Sequence, residues 1–132
     1  MELFIGNKEL LYPELSYELN GILFKVHNDL GRFCNEKQYG DAIEKILKEK
    51  EIPYHREYVI PQSFDGEMKG RNKVDFLIKG KIILEMKTKS HIERRDYFQI
   101  KRYLTAANLE LGILVNFQCY HLVPKRVISR TK

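Results

Sequence analysis

The chain has 132 residues, 43% hydrophobic and 31% charged, with a formal net charge of +5, which suits one ordinary globular domain over residues 1–132 with enough chain to bury a core. No apolar run approaches the roughly 20 residues needed to span a bilayer, so no membrane partner is expected, and the positive balance permits an anionic partner without demanding one. Cys34 and Cys119 fall outside any paired-cysteine metal pattern, and the N-terminus shows no signal-like stretch, so the protein reads as cytoplasmic with reduced thiols.

Residues 1–12 show no clear period and read as a lead-in. From Pro13, a residue suited to a first helical turn, Leu15, Leu19, Ile22, Leu23, Val26 and Leu30 recur at steps of three and four. That pattern predicts an amphipathic helix stopped at Leu30-Gly31. His27 lies at the edge of the stripe and reads as a packing or hydrogen-bonding residue. Asn35 and Gln38 have the spacing of an N-cap and its partner, opening a second helix that runs to about Lys50. Its apolar face is Tyr39, Ala42, Ile43, Ile46 and Leu47, and Glu36 falls on that same face. An acid there is costly unless paired or bound to a cation, although a place at a helix N-terminus also favours it through the dipole. The residues alone leave both readings open.

Ile52-Pro53 ends that helix, Tyr54 to Ile60 reads as a strand stopped by Pro61, and residues 62–71 are rich in turn formers. Val74 to Ile78 and Ile82 to Met86 then read as a hairpin around Lys79-Gly80-Lys81. A three-residue loop puts Ile78 opposite Ile82 and therefore Asp75 opposite Glu85. Side chains alternate along a strand, so Asp75, Glu85 and Lys87 share one face. Like charges opposed across strands weaken a sheet, and a divalent cation between them would relieve the repulsion. A plain exposed, charged strand face is the other reading.

After Lys87, Thr88-Lys89-Ser90 offers an N-cap for a helix reaching about Ala107, with Tyr97, Ile100, Leu104 and Ala107 as its core stripe and Gln99 and Tyr103 together on an adjoining face. Between Lys87 and Tyr103, six bases (Lys87, Lys89, Arg94, Arg95, Lys101, Arg102) stand against Glu93 and Asp96, a net +4 interleaved with aromatics. This suits a phosphate-facing surface, or a solvated helix face. Leu111 to Asn116 reads as a buried strand, Tyr120 to Val123 with Val127-Ile128 as a final edge strand around Pro124, and Ser129 to Lys132 as a frayed tail. Three consecutive strands point to an antiparallel part, and a helix before Leu111 points to a crossover into a parallel strand, giving an α/β sandwich with a mixed sheet.

Asp75 followed by Glu85-Met86-Lys87 resembles the signature of PD-(D/E)XK nucleases, with Lys73-Val74 where a proline is common. Leu30 to Tyr39 resembles the naming motif of the GxxExxY branch of that superfamily. Glu36 and Tyr39 match its E and Y, and Phe33 stands where its G would be. His27 fits the same branch, and Gln99-x-x-x-Tyr103 resembles a spacing seen on the helix after Glu-x-Lys in several superfamily nucleases. The likeness runs from about Tyr17 to Ile128.

The resemblance implies a restriction-endonuclease-like sandwich, its mixed central sheet flanked by helices. It also implies metal-dependent hydrolysis of phosphodiester bonds in nucleic acid. Mg²⁺ or Mn²⁺ would be held by Asp75, Glu85, Glu36 and the main-chain carbonyl of Met86. Lys87 would position the attacking water or stabilise developing charge. Tyr39, Gln99, Tyr103, Arg94, Arg95, Lys101 and Arg102 would face the substrate. A homodimer is compatible with the sequence. A nucleic-acid-binding or partner-binding module without turnover, built on the same fold, is the alternative.

Overall fold

The structure is a computed structural model and describes residues 11–130. The first helix, α1 (Pro13–Leu30), starts with proline in its first turn and ends at Gly31, whose φ of 78° suits glycine. Leu19, Ile22, Leu23 and Val26 of the expected stripe are buried, whereas its ends, Leu15 and Leu30, lie nearer solvent. Helix α2 (Glu36–Glu49) opens on the expected reciprocal cap. Gln38 N–H donates to Asn35 Oδ1 at 2.8 Å, and Asn35 N–H donates to Gln38 Oε1 at 2.9 Å. His27 has the structural role expected, its Nε2 lying 2.9 Å from the Cys119 carbonyl oxygen and tying α1 to the far end of the chain.

Among the described residues, five strands form one sheet in sequential order: β1 (Tyr54–Val59), β2 (Lys73–Ile78), β3 (Ile82–Lys87), β4 (Leu111–Asn116) and β5 (Lys125–Ile128). All neighbouring pairs are antiparallel except β3 and β4, which run parallel and are joined through helix α3 (Arg94–Ala107). This is the expected mixed sheet. Alternate residues sort its two faces, except that the break in pairing at Asp75 turns Val74 to the face opposite Phe76. Phe76, Ile78, Ile82, Leu84 and Met86 pack with α1 and α2, while Val74, Leu77, Ile83 and Leu114 pack with Ile100, Tyr103 and Leu104 of α3. With both faces covered, β4 is buried at every position, which is why it reads as an unbroken apolar run.

Three boundaries differ from expectation. The helix after Lys87 begins at Arg94, not after Ser90. The buried Asn116 ties down the intervening loop: its Oδ1 accepts the Lys89 N–H at 3.1 Å and its Nδ2 donates to the Lys89 carbonyl at 2.8 Å. The last strand begins only after Pro124, and Tyr120 to Val123 belong to the turn that follows β4. Ser129, expected to fray, donates its N–H to Glu110 O at 2.9 Å. Residues 1–10 of the lead-in and residues 131–132 of the tail lie outside the described residues.

Candidate functional site

The hairpin turns through Lys79 and Gly80, both left-handed (φ 56° and 67°), with Lys81 N–H donating to Ile78 O at 2.9 Å. The pairing follows as expected: Ile78 with Ile82, Leu77 with Ile83, Phe76 with Leu84. The next step would oppose Asp75 and Glu85, and there the regular ladder ends. On the other side of β2, Arg56 pairs with Phe76 and Tyr58 with Val74, while Glu57, at a left-handed φ of 52°, breaks the pairing beside Asp75. Carboxylates take over from the backbone. Met86 N–H donates to Asp75 Oδ2 at 2.7 Å, and Asp75 N–H donates to Glu85 Oε1 at 3.3 Å. The two acids are therefore held side by side at the point where the sheet opens.

Glu85 is only 6% exposed. Burial, then the charge of Asp75 and a hydrogen bond with it, push its carboxyl up to about 9, against the pull of Lys87 and the Asp75 N–H. A cation would do what a proton otherwise does for this pair. Glu36 reaches the same place from the opposite layer, lining a cavity of about 210 Å³ with Lys37, Arg56, Glu57, Asp75 and Met86. Its carboxyl is also raised, by burial first and Asp75 second, with Lys87 opposing. The expectation that Glu36 lies on a buried face is corrected, because the residue is exposed. It occupies the first turn of α2, beside the open end of the β2 ladder, where no further strand pairing covers it. Arg56, which the sequence did not single out, bonds Asp41 at 2.7 Å and Glu44 at 2.8 Å and supplies a cation to that cavity wall.

Lys87 ends β3 half-buried, its Nζ 3.4 Å from Gln99 Oε1 and 3.9 Å from Asp96 Oδ1. Asp96 is 6% exposed and is the second residue the sequence missed. It accepts the Glu93 N–H at 2.8 Å and Lys89 Nζ at 2.9 Å. Burial alone would raise its pKa, but these donors and Lys87 outweigh burial and hold it below the ordinary carboxylate range. The available signal was an acid three residues after Glu93, as at a helix N-terminus. Tyr103 is buried in the core layer under α3, with its phenol raised by burial first and the charge of Glu85 second.

Tyr39 is corrected as a substrate contact. It is 0% exposed and stacks on Phe117 with ring centroids 4.2 Å apart. Its hydroxyl donates to Gly31 O at 2.6 Å and accepts the Cys34 N–H at 3.2 Å. Tyr39 thus braces the loop between Gly31 and Cys34 that precedes Glu36. Of the bases on α3, Arg95 and Arg102 line a cavity shared with Lys87 and Lys89, whereas Arg94 and Lys101 are exposed away from it.

A sequence profile of the PD-(D/E)XK nuclease superfamily matches residues 13–130. The chain belongs to the PD-(D/E)XK nuclease superfamily. The crystal structure of SSO0001 shares the fold, with a TM-score of 0.55 at 16% identity. The match covers 83% of this chain and 62% of that one, so this chain corresponds to less than two thirds of that neighbour. No curated protein matches significantly.

The oxygen donors on this face are the adjacent carboxylates of Asp75 and Glu85, with Glu36 across the cavity it shares with Asp75. The Met86 amide points at Asp75, and in an extended strand the carbonyl of a residue points to the same side as its amide. Such a set suits a hard divalent cation. Among the described residues, no three or more His, Cys, Asp and Glu side chains are already gathered closely enough to hold an ion. Asp75 and Glu85 are adjacent, and Glu36 lines the cavity beside Asp75.

Proposed function

We propose that this protein is a metal-dependent nuclease that hydrolyses phosphodiester bonds of nucleic acid, of the GxxExxY branch, acting as a single domain in the cytoplasm. The reading is carried by the paired carboxylates beside Lys87, Asp75 accepting the Met86 N–H and Glu85 accepting the Asp75 N–H, in a chain of this superfamily. Asp75, Glu85, Glu36 and the Met86 carbonyl would hold Mg²⁺ or Mn²⁺. What such an ion supplies is Lewis acidity, lowering the pKa of water and offsetting charge on the phosphate. The chain's own residues do the rest. Lys87, steadied by Gln99, orients water and stabilises negative charge developing on the phosphate. Gln99 and Tyr103, neighbours on one face of α3, position the backbone of the substrate. Phosphates of the substrate lie along the bases of α3.

The alternative is a non-catalytic nucleic-acid-binding or partner-binding module on the same fold, for which the four bases around one cavity, Lys87, Lys89, Arg95 and Arg102, would serve binding without turnover. A cleavage panel of single-stranded, duplex, flapped and branched DNA and RNA, with and without Mg²⁺ or Mn²⁺, separates the two. Cleavage that needs metal and is lost in Glu85→Gln supports the nuclease. No cleavage of any substrate, with no metal-dependent rise in melting temperature, supports the module.

A further inference from the structure

We infer that the cavity beside Lys87 is a seat for a second phosphate of the nucleic-acid strand. The strand's placement rests on the proposed nuclease reading; the seat's affinity for phosphate does not. The cavity, of about 360 Å³, is lined by Lys87, Lys89, Arg95, Asp96, Gln99 and Arg102, which is four cations against one carboxylate and no apolar side chain. Asp96 cannot neutralise them all, since it is buried and already bonded to Lys89 and the Glu93 amide. Arg95 pairs with Glu93 at 2.6 Å, but both are solvent-facing and such pairs contribute little. Among the described residues Arg102 has no ion-pair partner.

The arrangement is built into the fold. Arg95, Gln99 and Arg102 recur at steps of four and three along α3 and so share one face. The opposite wall is set by the end of β3 and by Lys89, whose backbone is clamped from both sides by Asn116. Gln99 turns its oxygen to Lys87, which leaves its amide hydrogens for an anion. Two guanidinium groups and two ammonium groups around one hollow match the oxygens of a phosphate. Lys87 lines this hollow and, two residues after Glu85 on β3, shares its face of the sheet, so a phosphate seated here lies on the strand next to the bond being cut. A separate acidic protein partner would have no use for a base shared with the carboxylates.

The test is equilibrium binding to the full-length protein in chelator, where nothing is cut. The probes are inorganic phosphate and short single strands carrying a 5′-phosphate, a 3′-phosphate or neither. Arg95→Gln with Arg102→Gln is compared with Arg94→Gln with Lys101→Gln, which removes the same charge from outside the cavity. The expected result is loss of inorganic phosphate binding and at least a roughly tenfold weaker strand affinity in the cavity variant, with a salt slope shallower by about 0.7 per lost contact. The control variant should weaken all strands alike and by less. Tighter binding of one phosphorylated end in wild type alone assigns the seat to a strand terminus; equal binding of all strands, lost in the cavity variant, assigns it to an internal phosphate. Equal losses in the two variants overturn the seat, and an acidic peptide that displaces the strand from the cavity overturns its assignment to nucleic acid. A protein that binds in this way but cuts nothing refutes the nuclease reading and leaves the seat standing.

Discussion

The Asp75 carboxylate accepts the Met86 backbone N–H at 2.7 Å, so the ladder between β2 and β3 ends in a side chain. That contact fixes Asp75 beside the buried Glu85, and the repulsion between them is the feature from which the site's chemistry follows.

Stability should depend on pH in a recognisable way. The folded-state pKa of Glu85 is raised, so the folded protein holds a proton that the unfolded chain releases near pH 4.5. Without divalent metal, stability should therefore fall as pH rises from about 5 towards about 9, by an amount on the order of a few kcal/mol. Denaturant melts across that range should show the decline in wild type and a nearly flat profile in Glu85→Gln. A wild-type profile as flat as the variant's would mean that Glu85 is not crowded in this way.

Glu36→Gln keeps the shape of the side chain and removes its charge. Activity should fall by orders of magnitude in any assay where wild type cuts. Metal-free stability should be unchanged or higher, because Asp75 repels this carboxylate. If Glu36 served only the helix dipole, activity would be intact and stability lower by about 0.3–1 kcal/mol. Measuring both on one protein decides between the roles.

Tyr39→Phe should lower stability by roughly 1–3 kcal/mol, since it leaves the Gly31 carbonyl and the Cys34 amide without their partner. Substrate affinity in chelator should be unchanged once folding is complete. Weakened strand binding at full folding would restore Tyr39 to the substrate surface.

The elements legible in the sequence are those set by neighbours along the chain. Pro13 and Gly31 bound α1, the Asn35 and Gln38 cap opens α2, and the loop length at Lys79-Gly80-Lys81 sets the register that brings Asp75 to Glu85. What was not legible depends on groups distant in sequence. The start of α3 is delayed because Asn116, 27 residues from Lys89, clamps the loop before it. Tyr39 falls on the apolar face of α2 read from the sequence and is buried there; only the resemblance sets it against the substrate, whereas Phe117 stacks on it and the Gly31 carbonyl takes its hydroxyl. Glu36 has the angular position expected on α2 but is exposed, since the β2 ladder gives way beside it.

Asn116→Ala should release that clamp. The residue is buried and holds three backbone groups, the Lys89 N–H and carbonyl and the Gln118 N–H. Hydrogen exchange in residues 88–93 should accelerate, with global stability lower by roughly 1–3 kcal/mol. Protection of that loop at the wild-type level would place its anchor elsewhere.

Titration calorimetry of Mn²⁺ into wild type and into Asp75→Asn tests the proposed metal site most directly. Asparagine keeps an oxygen for the Met86 amide, so the hairpin survives while one ligand charge is lost. Wild type should show a saturable one-site isotherm that Asp75→Asn lacks. The same isotherm in both proteins would contradict the site.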